Sequence, residues 1–467
     1  NLKDVISVAG FFGKEGVLII LSLLFFTFLI HYLAKLIQTR FKNKALVFST
    51  FLIALVLMGL NGGVLHNAYA TMRLKFAGNA TFKEALSALQ INDHEYIYRN
   101  KVKASKGKNI IVLSLESLEK GYLSEKLAHL TPNLSKLADQ YSLYPMEQSP
   151  AGGWTSASIY IAMTGVPAYF GVHGNSIFQQ SYEHKLTSLS DVLLDAGYDL
   201  QYFIGRKEYS GIDDMLKMLG FTVKSEKDFI EKYETVDWGI QDKDLFKEFK
   251  EELKRKKDAE QPFALFLSTI STHFPNGVPD KRMDSMLPPQ KSRIELMVSA
   301  TDYHVGDLMD FLDKEGMMDN TIFYIYPDHH LMGNSAPVME NFDERQLYLL
   351  TNANTSILKY PQGQTINQID LPKIILNGAE IQHNAKFLTD FITQEDKNAF
   401  LRSNDQNILR LNDAALKTQN CKEGIFLAIN QESGAFEIRN EEDVKFLSHT
   451  IPVSYTHLTL PTKVLVC

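Results

Sequence analysis

Residues 152–167 read Gly-Gly-Trp-Thr-Ser-Ala-Ser-Ile-Tyr-Ile-Ala-Met-Thr-Gly-Val-Pro, and the rest of the chain is organised around them. The two glycines allow a tight, open turn, and Thr155 then begins an apolar helix over residues 156–163 that ends at Gly165 and Pro167. Unpaired N–H groups and the positive end of the helix dipole surround a hydroxyl at this position, which favours an alkoxide or a bound phosphate. The alternative is that Thr155 is only the N-cap of the helix, a common role for threonine.

Length, charge and cysteine content limit the classes of protein to consider. The chain has 467 residues, enough for two or three domains, and its net charge of −7 comes from well-mixed charges of both signs. Because no basic patch is visible, the sequence gives no indication of nucleic-acid binding. With two cysteines, Cys421 and Cys467, a disulfide scaffold is not expected. Residues 453–467 resemble a translated sequencing adapter, and leaving them out of the fold gives one native cysteine.

Two apolar runs near the N-terminus predict membrane-spanning helices. Val17 to Ala34 and Ala45 to Leu65 are each long enough to cross a bilayer, which needs roughly 20 residues. The alternatives are a buried helical hairpin, or a signal peptide for the first run, and a second span at once afterwards argues against the signal peptide. The loop between the runs has no acidic residue and carries Lys35, Arg40, Lys42 and Lys44. Since positive loops stay in the cytoplasm, we expect the chain after Leu65 to be extracytoplasmic.

Strand and helix patterns alternate along the rest of the chain. The predicted strands are Asn109–Leu115, Asp199–Ile204, Phe263–Ile270, Thr321–Tyr326 and Gln346–Leu350. The predicted helices between them are Pro132–Tyr141, Ser188–Ala196, Met215–Leu219 and Arg293–Lys314. This alternation predicts an α/β fold, a doubly wound, mostly parallel sheet with helices on both faces.

The same patterns give the domain organisation. Residues 1–65 form the predicted transmembrane region, and residues 66–108 form a juxtamembrane linker. Because the first residue is Asn and not Met, we expect the N-terminus to be missing or processed. Residues 109–390 form the catalytic domain, and residues 391–452 form a small C-terminal subdomain. Within that subdomain Gly424–Ile429 and Ala435–Arg439 flank Asn-Gln-Glu-Ser-Gly, which predicts a hairpin.

Polar residues follow three of the buried strands at the points where they end. These residues are Glu116, His273 and the pair Asp328-His329. In open α/β sheets, ligand sites form beyond the carboxyl ends of the strands, so we expect these residues to lie close together. Two carboxylates, one imidazole and the Thr155 hydroxyl would suit a divalent cation such as Mn²⁺, Mg²⁺ or Zn²⁺. Taken singly, Glu116 could instead be a cap or an ion-pair partner, and His329 or His330 a satisfied polar residue.

Other side chains are weaker candidates for contact with a substrate. His273, in Ser-Thr-His-Phe-Pro-Asn-Gly, could protonate a leaving group or bind a phosphoryl oxygen, or be a structural loop histidine. Arg206 could hold a phosphate oxygen or lie on the surface, and Tyr209 could stack on substrate or pack at the rim. Trp154, which directly precedes Thr155, is a further candidate for substrate contact. His173 could serve loop structure or substrate contact equally, and His304 is expected to be structural.

These residues together resemble the alkaline-phosphatase/sulfatase superfamily. Four of its features occur in order between about Lys108 and Ile381. The first two are a strand that ends in an acidic ligand, Asn109–Glu116, and a helix that starts with Thr-Pro-Asn-Leu, Thr131–Leu134. The other two are a nucleophile at the start of a helix that ends in Thr-Gly-x-Pro, Thr155–Pro167, and an Asp-Asn-Thr strand that leads to an Asp-His pair, Asp319–His329. The transmembrane anchor and the threonine are similar to the lipoteichoic acid synthase and phosphoglycerol transferase branch. Gly-Trp-Thr at Gly153–Thr155 and Thr-His-x-Pro-x-Gly at Thr272–Gly277 are most similar to the phosphoglycerol transferase I type.

The resemblance implies a metal-dependent phosphoglycerol transferase at a bacterial plasma (inner) membrane. It implies that Glu116, Thr155, Asp328 and His329 bind one divalent cation, most typically Mn²⁺, and that Thr155 forms a covalent phosphoglycerol ester. It implies that His273 lies on the substrate phosphate. Phosphatidylglycerol would be the donor, and a hydroxyl of a glycan or glycerol polymer the acceptor.

Two other functions remain open from the sequence. One is a phosphoethanolamine transferase or phosphodiesterase on the same site, although phosphoethanolamine transferases usually carry several disulfides that this chain cannot form. The other is a non-catalytic, glycan-binding pseudoenzyme, against which the four intact ligands argue. A sulfatase activity is disfavoured because no Cys/Ser-x-Pro-x-Arg motif follows the metal carboxylate.

Overall fold

A computed structural model of the chain describes residues 80–171, 174–332 and 337–418, and short strands at 425–429, 436–440, 447–449 and 464–465. The chain divides into two compact units, residues 1–78 and 79–467, and all the described residues lie in the second. Within that described part, no helix has the length and apolar character needed to cross a bilayer. The two predicted spans, Val17 to Ala34 and Ala45 to Leu65, lie outside the described residues.

Helices and strands alternate along the second unit. The helices are α1 Phe82–Ala88, α2 Pro132–Gln140, α3 Thr155–Thr164, α4 Ser176–Gln180, α5 Leu189–Asp195, α6 Ile212–Met218, α7 Glu226–Phe229, α8 Asp242–Lys256, α9 Arg293–Lys314, α10 Thr355–Leu358, α11 Leu371–Gly378, α12 Lys397–Ser403 and α13 Asp405–Ala415. The strands are β1 Asn109–Leu115, β2 Ser142–Glu147, β3 Ser181–His184, β4 Asp199–Ile204, β5 Thr222–Lys224, β6 Phe263–Ser268, β7 Thr321–Pro327, β8 Leu347–Thr351, β9 Ile366–Asn367, β10 Leu416–Thr418, β11 Ile425–Ile429, β12 Phe436–Asn440, β13 Leu447–His449 and β14 Val464–Leu465.

The central sheet has eight strands in the order β5-β4-β6-β1-β7-β8-β2-β9. Its neighbours pair in parallel except at β8, which runs antiparallel to both β7 and β2. The predicted α/β fold with a mostly parallel sheet is therefore confirmed. β1 lies between β6 and β7, and six of its seven residues, 110–115, are buried, as expected of a strand covered on both faces.

Both faces of the sheet are covered, as the side chains of β1 show. Ile110 and Val112 pack into one apolar core with α1, α3, α5, α6, α11 and α13. Ile111, Leu113 and Leu115 pack into a second core with α2, α8 and α9. Because successive strand residues point to opposite faces, this division shows one layer of helices on each side of the sheet.

β2 and α8 are among the elements that were not predicted from the sequence. β2 contains Pro145, which cannot donate to a strand ladder and so argues against a central strand. The strand is tolerated because β2 pairs along its length only with β8, while β9 meets it at Met146 and Glu147 alone. α8 is rich in charge, yet Leu245, Phe249 and Leu253 keep a buried stripe at helical spacing.

The segments on either side of the predicted catalytic domain also pack on its core. α1, within the predicted linker, buries Phe82, Ala85 and Leu86, and α13 buries Ile408 and Leu411 in the same core. Further along, β11 and β12 pair antiparallel, which confirms the predicted hairpin. The domain limits at residues 108 and 390 stay predictions.

His304 of α9 makes stability depend on pH, as expected of a buried structural histidine. It is 5% exposed, stacks on Phe246 at 5.5 Å, and has its pKa lowered to about 4, mainly by burial. The unfolded chain, with an ordinary pKa near 6.5, therefore binds this proton first, and stability falls as pH drops from about 6.5 toward about 4. We expect a loss of about 2 kcal/mol at about pH 5 that His304→Phe does not show. Urea unfolding of the wild type and of His304→Phe at about pH 8 and about pH 5 measures this loss. An equal loss of stability in the two proteins would show that His304 is not its cause.

Candidate metal centre and active site

The register of three strands brings the predicted site residues to one edge of the sheet. Ser114 of β1 lies opposite Ser268 of β6 and Tyr326 of β7, so the three strands end side by side. Glu116 and Asp328 therefore leave neighbouring strands at the same level, with Thr269 beside them. This is the carboxyl edge at which ligand sites form in open α/β sheets.

Glu116 is fully buried, and its own N–H, carbonyl and carboxylate groups are all hydrogen-bonded. Its N–H donates to Thr269 Oγ1 at 2.9 Å, and its carbonyl accepts from Thr272 Oγ1. The carboxylate accepts from Ser117 Oγ at 2.8 Å through Oε1 and from Thr155 Oγ1 at 3.0 Å through Oε2. The residues that follow β6 thus fix the backbone of Glu116, and both of its carboxylate oxygens lie at the centre of the site.

Asp328 is held by backbone donors on one side and left open on the other. Its Oδ1 accepts the N–H of Ser117 and the N–H of His329, both at 2.8 Å. Ser117 reaches this position with φ +51°, a left-handed conformation that non-glycine residues rarely adopt outside strained sites. Oδ2 remains directed at the cluster, 3.4 Å from His329 Nε2.

His329 presents an unshared electron pair to the two carboxylates. Its Nδ1 lies 2.8 Å from the carbonyl oxygen of His330, and since that oxygen can only accept, Nδ1 carries the proton. Among the described residues Nε2 finds no hydrogen-bond partner, and it lies 3.5 Å from Glu116 Oε1. A histidine fixed by a carbonyl through one nitrogen and open at the other is the usual arrangement of a metal ligand.

A divalent cation fits this donor set. One ligand atom from each of Glu116, Asp328 and His329 lies within 4.8 Å of the others, and all three side chains are buried. Burial and then the charge of Glu116 raise the pKa of Asp328 well above its ordinary value, so two carboxylates without a cation are electrostatically unfavourable here. Burial lowers the pKa of His329, whereas the Asp328 and Glu116 carboxylates raise it, and the net direction is upward. A bound cation would offset the negative charge of the two carboxylates and occupy the open nitrogen of the imidazole. The structure therefore contains a candidate Glu–Asp–His metal site.

Thr155 lies beside this cluster at the start of α3. The helix begins at Thr155 and ends at Gly165, which has φ +67°, as predicted. The N-cap residue is Trp154, whose side chain makes no capping hydrogen bond, while the Thr155 hydroxyl donates to Glu116. The hydroxyl is thus directed at the candidate metal site, and the uncapped end of a ten-residue helix favours an anion nearby.

His273 lies close enough to the cluster for the charges of Asp328 and His329 to act on its pKa. Burial is the main influence and lowers that pKa, with a smaller opposing effect of the Phe274 carbonyl, which Nδ1 approaches at 2.8 Å. The imidazole ring packs against the Trp238 indole, with centroids 4.2 Å apart. Its other nitrogen, Nε2, is therefore the one available to a substrate.

The remaining predicted substrate contacts are engaged with other described residues. Arg206 Nη1 donates to the Asp237 carbonyl, and its guanidinium lies 4.8 Å above the Tyr209 ring. Trp154 Nε1 donates to Asn175 Oδ1 at 3.0 Å, and the indole packs against the core. Their roles in substrate binding stay predictions. His173 lies outside the described residues.

Ser117, Trp238 and Glu119 contribute to the site and were not predicted from the sequence. Ser117 bridges both carboxylates, but a serine after a strand carries no signal by itself. Trp238 packs on His273, and the only hint was its rarity, since the chain has two tryptophans. Buried Glu119 accepts from His330 Nδ1 at 3.0 Å, from the Leu331 N–H at 3.0 Å and from Arg345 Nε at 2.7 Å, which braces the loop after His329.

The chain matches a known protein family over most of its length. The family model described as Sulfatase matches residues 108–420. Phosphoglycerol transferase I of Escherichia coli (strain 55989 / EAEC) is 24% identical over 274 residues, which is 55% of this chain and 35% of that protein. Phosphoglycerol transferase I of Citrobacter koseri (strain ATCC BAA-895 / CDC 4225-83 / SGSC4696) is 26% identical over 248 residues, 49% of this chain and 32% of that protein. The matched part of the chain thus spans about a third of each of these relatives.

Two solved structures are also similar to the chain. One is a protein in the alkaline phosphatase superfamily from Vibrio parahaemolyticus, with 20% identity and a TM-score of 0.49, covering 79% of this chain and 86% of that one. The other is the lipoteichoic acid synthase LtaP from Listeria monocytogenes, with 15% identity and a TM-score of 0.49, covering 78% of this chain and 89% of that one.

Proposed function

Since this chain belongs to the sulfatase family and is related to phosphoglycerol transferases, we propose that it is a membrane-anchored, metal-dependent phosphoglycerol transferase. It would move phosphoglycerol from phosphatidylglycerol to a hydroxyl of a glycan or glycerol polymer. The observation that carries the proposal is the convergence of Glu116, Asp328 and His329 with the Thr155 hydroxyl. A metal-activated hydroxyl at a helix N-terminus is suited to covalent phosphoryl transfer.

Glu116, Asp328 and His329 would hold the cation, with Thr155 as the fourth ligand. A bound Mn²⁺, Mg²⁺ or Zn²⁺ lowers the pKa of a coordinated hydroxyl and polarises a phosphoryl oxygen. The protein's own contribution is to fix these donors. Ser117 and the Thr269 hydroxyl hold Glu116, and the carbonyl of His330 sets the proton of His329.

In the first half-reaction Thr155 Oγ attacks the phosphorus of the donor. The bond between phosphorus and the diacylglycerol oxygen breaks, and phosphoglycerol stays on Thr155 as an ester. The hydroxyl proton passes to Glu116, to which that hydroxyl already donates. The leaving oxygen takes a proton from His273 Nε2, whose pKa a bound anionic phosphodiester would raise.

In the second half-reaction the acceptor hydroxyl attacks the same phosphorus. Its proton passes to His273, and the bond between phosphorus and Thr155 Oγ breaks. Thr155 recovers its proton from Glu116, which returns every group to its starting form. The two steps split one difficult transfer into two easier ones, the usual advantage of a covalent intermediate.

The proposed location follows from the predicted spans at Val17 to Ala34 and Ala45 to Leu65. These would anchor the catalytic domain on the outer side of a bacterial plasma membrane, where a lipid donor could reach the site from the adjacent leaflet.

Mass spectrometry of the Thr155 peptide tests the function. The full chain is incubated with a total lipid extract and Mn²⁺, Mg²⁺ or Zn²⁺ separately, then digested. We expect a phosphoglycerol ester on Thr155 with release of diacylglycerol, and no ester on Thr164 of the same helix. A phosphoethanolamine ester would instead identify the alternative transferase. No ester and no bound metal would leave the non-catalytic, glycan-binding alternative.

A further inference from the structure

Two glutamine side chains lie between the loop that carries His329 and the turn that leads into α3. β2 and β9 run parallel to each other, and Glu147 lies opposite Asn367 where the two strands end. The next residue after each strand is a glutamine, Gln148 or Gln368, so both glutamines leave the sheet at the same level. Gln148 is half-buried and Gln368 is buried.

The two side chains hold the backbone on both sides of His329. Gln368 Nε2 donates to the Asp328 carbonyl at 2.7 Å. On the other side, the His330 N–H donates to Gln148 Oε1 at 2.7 Å. Because a carbonyl can only accept and an N–H can only donate, these partners fix the orientation of both amide groups. The direction of the His329 ring depends on this backbone, so the two contacts help to aim the imidazole at the carboxylates.

Gln368 also holds the turn that leads to the candidate nucleophile. Its Oε1 accepts the Ser149 N–H at 2.9 Å, and the Ser149 carbonyl accepts the Gly152 N–H at 3.0 Å. A Cβ on Gly152 would lie 2.7 Å from Gln368 Oε1, so a glycine is needed for the turn to close on the amide. Ala151 between them has φ +55°, a left-handed conformation that a surrounding structure must hold in place.

The backbone of Gln368 is fixed independently of both segments. Gln368 begins a short 3₁₀ helix that ends at Asp370, and the Asn367 side chain caps this helix. Asp370 is fully buried, and its two carboxylate oxygens lie 2.6 and 2.7 Å from Lys397 Nζ. The amide of Gln368 is therefore a rigid contact between two loops that have no other reason to keep a set distance.

We propose that Gln368 is a positioning residue that couples cation binding at His329 to the placement of Thr155. The inference rests on the proposed function. With a cation bound, Asp328 and His329 are fixed, and the amide of Gln368 transmits that fixed position to the turn at Ser149. Gln148 ties the loop only to the end of β2, whereas Gln368 reaches into the turn itself. Attack on phosphorus needs close alignment, since a displacement of about 1 Å can cost about 10²-fold in rate.

Hydrogen exchange followed by mass spectrometry tests the coupling without turnover. The full chain carries Thr155→Val, so that the nucleophile itself cannot bind the cation. We expect saturating Mn²⁺ to slow exchange in residues 149–154 about fivefold or more, and in residues 328–331 as well. Adding Gln368→Met keeps the length of the side chain and removes both hydrogen bonds. It should abolish most of the slowing in residues 149–154 and keep the slowing in residues 328–331. No slowing in residues 149–154 of the Thr155→Val protein, or equal slowing after Gln368→Met, would overturn the proposal.

Turnover gives a second measurement, in the chain that keeps Thr155. At saturating Mn²⁺, Gln368→Met should lower kcat for diacylglycerol release about tenfold or more and leave KM within about twofold, because alignment is lost and lipid binding is not. Gln201→Met is the matched control. It removes another buried glutamine, which lies in β4 and donates to Glu252 at 2.7 Å, and it should keep kcat and the response to Mn²⁺. Equal losses of kcat in the two variants would show a general effect of destabilisation and contradict the proposal.

The two measurements separate this inference from the proposed function. If the wild type does not turn over phosphatidylglycerol, but Gln368→Met still abolishes the response of residues 149–154 to Mn²⁺, the function is wrong and the coupling stands. If turnover occurs and those residues respond to Mn²⁺ equally with and without Gln368, the coupling is wrong and the function stands.

Discussion

Replacing Thr155 with valine should abolish the release of diacylglycerol from phosphatidylglycerol, with a loss of at least about 10³-fold, because loss of a nucleophile removes the covalent route entirely. Valine keeps the branched shape of threonine and removes only Oγ1, which in the structure donates to Glu116 Oε2 at 3.0 Å. Glu116 Oε1 keeps its hydrogen bond from Ser117, so the fold and the three ligands Glu116, Asp328 and His329 should persist. Release is measured with labelled lipid, and retention of the fold by thermal unfolding.

Thr155→Ser is the matched control, since serine keeps a hydroxyl at the same helix position. It should retain measurable release and still form the ester, because only the methyl group is lost. A valine variant that releases diacylglycerol within about tenfold of the wild type would contradict the nucleophile assignment, since residual catalysis without a nucleophile is far smaller. A serine variant as inactive as valine would show that the methyl contact, and not the hydroxyl, is what matters.

The central features of the fold could be predicted because local pattern and tertiary environment agree there. β1 matches its predicted limits, since a strand covered on both faces must be apolar throughout, and that is visible in sequence. α3 has its predicted start and its stop at Gly165 for a similar reason, because the left-handed stop residue is a local requirement. The proximity of Glu116 and Asp328 could be predicted because both follow parallel strands, whose carboxyl ends lie at one edge of the sheet. The observed register of β1 and β7 brings them together.

The parts that sequence could not give are those set by packing between distant segments. Trp238 lies 35 residues before His273 and contacts it only because the Gly205 and Gly239 backbones are in close approach. Glu119 is ordinary in sequence, and its role comes from Arg345 and the loop after His329. Thr155 is the first residue of the helix and Trp154 is the N-cap, and the threonine hydroxyl donates to Glu116, a residue 39 positions earlier in the chain. None of these contacts leaves a periodic signal.

Replacing Asp328 with asparagine should affect metal binding and metal-free stability in opposite directions. Without a cation, Asp328 and Glu116 are two buried carboxylates beside one imidazole, an arrangement that burial and like charge make unfavourable. Asparagine keeps an oxygen for the N–H groups of Ser117 and His329, and places an N–H donor where Oδ2 now lies 3.4 Å from the partnerless His329 Nε2. We therefore expect the variant to be more stable than wild type in chelator, by about 1–3 kcal/mol.

With a cation the order should reverse, because the variant lacks an anionic ligand. Mn²⁺ should raise the thermal midpoint of the wild type as any ligand of the folded state does, and should leave Asp328→Asn almost unchanged and inactive. Asp302→Asn is the matched control: Asp302 is equally buried and accepts the N–H groups of Asn133 and Leu134, but it lies outside the cluster. It should keep the response to Mn²⁺ and gain no stability in chelator. If Asp328→Asn still responded to Mn²⁺ and were less stable than wild type without it, Glu116, Asp328 and His329 would be a structural cluster, because only a site built around a cation is strained by the absence of one.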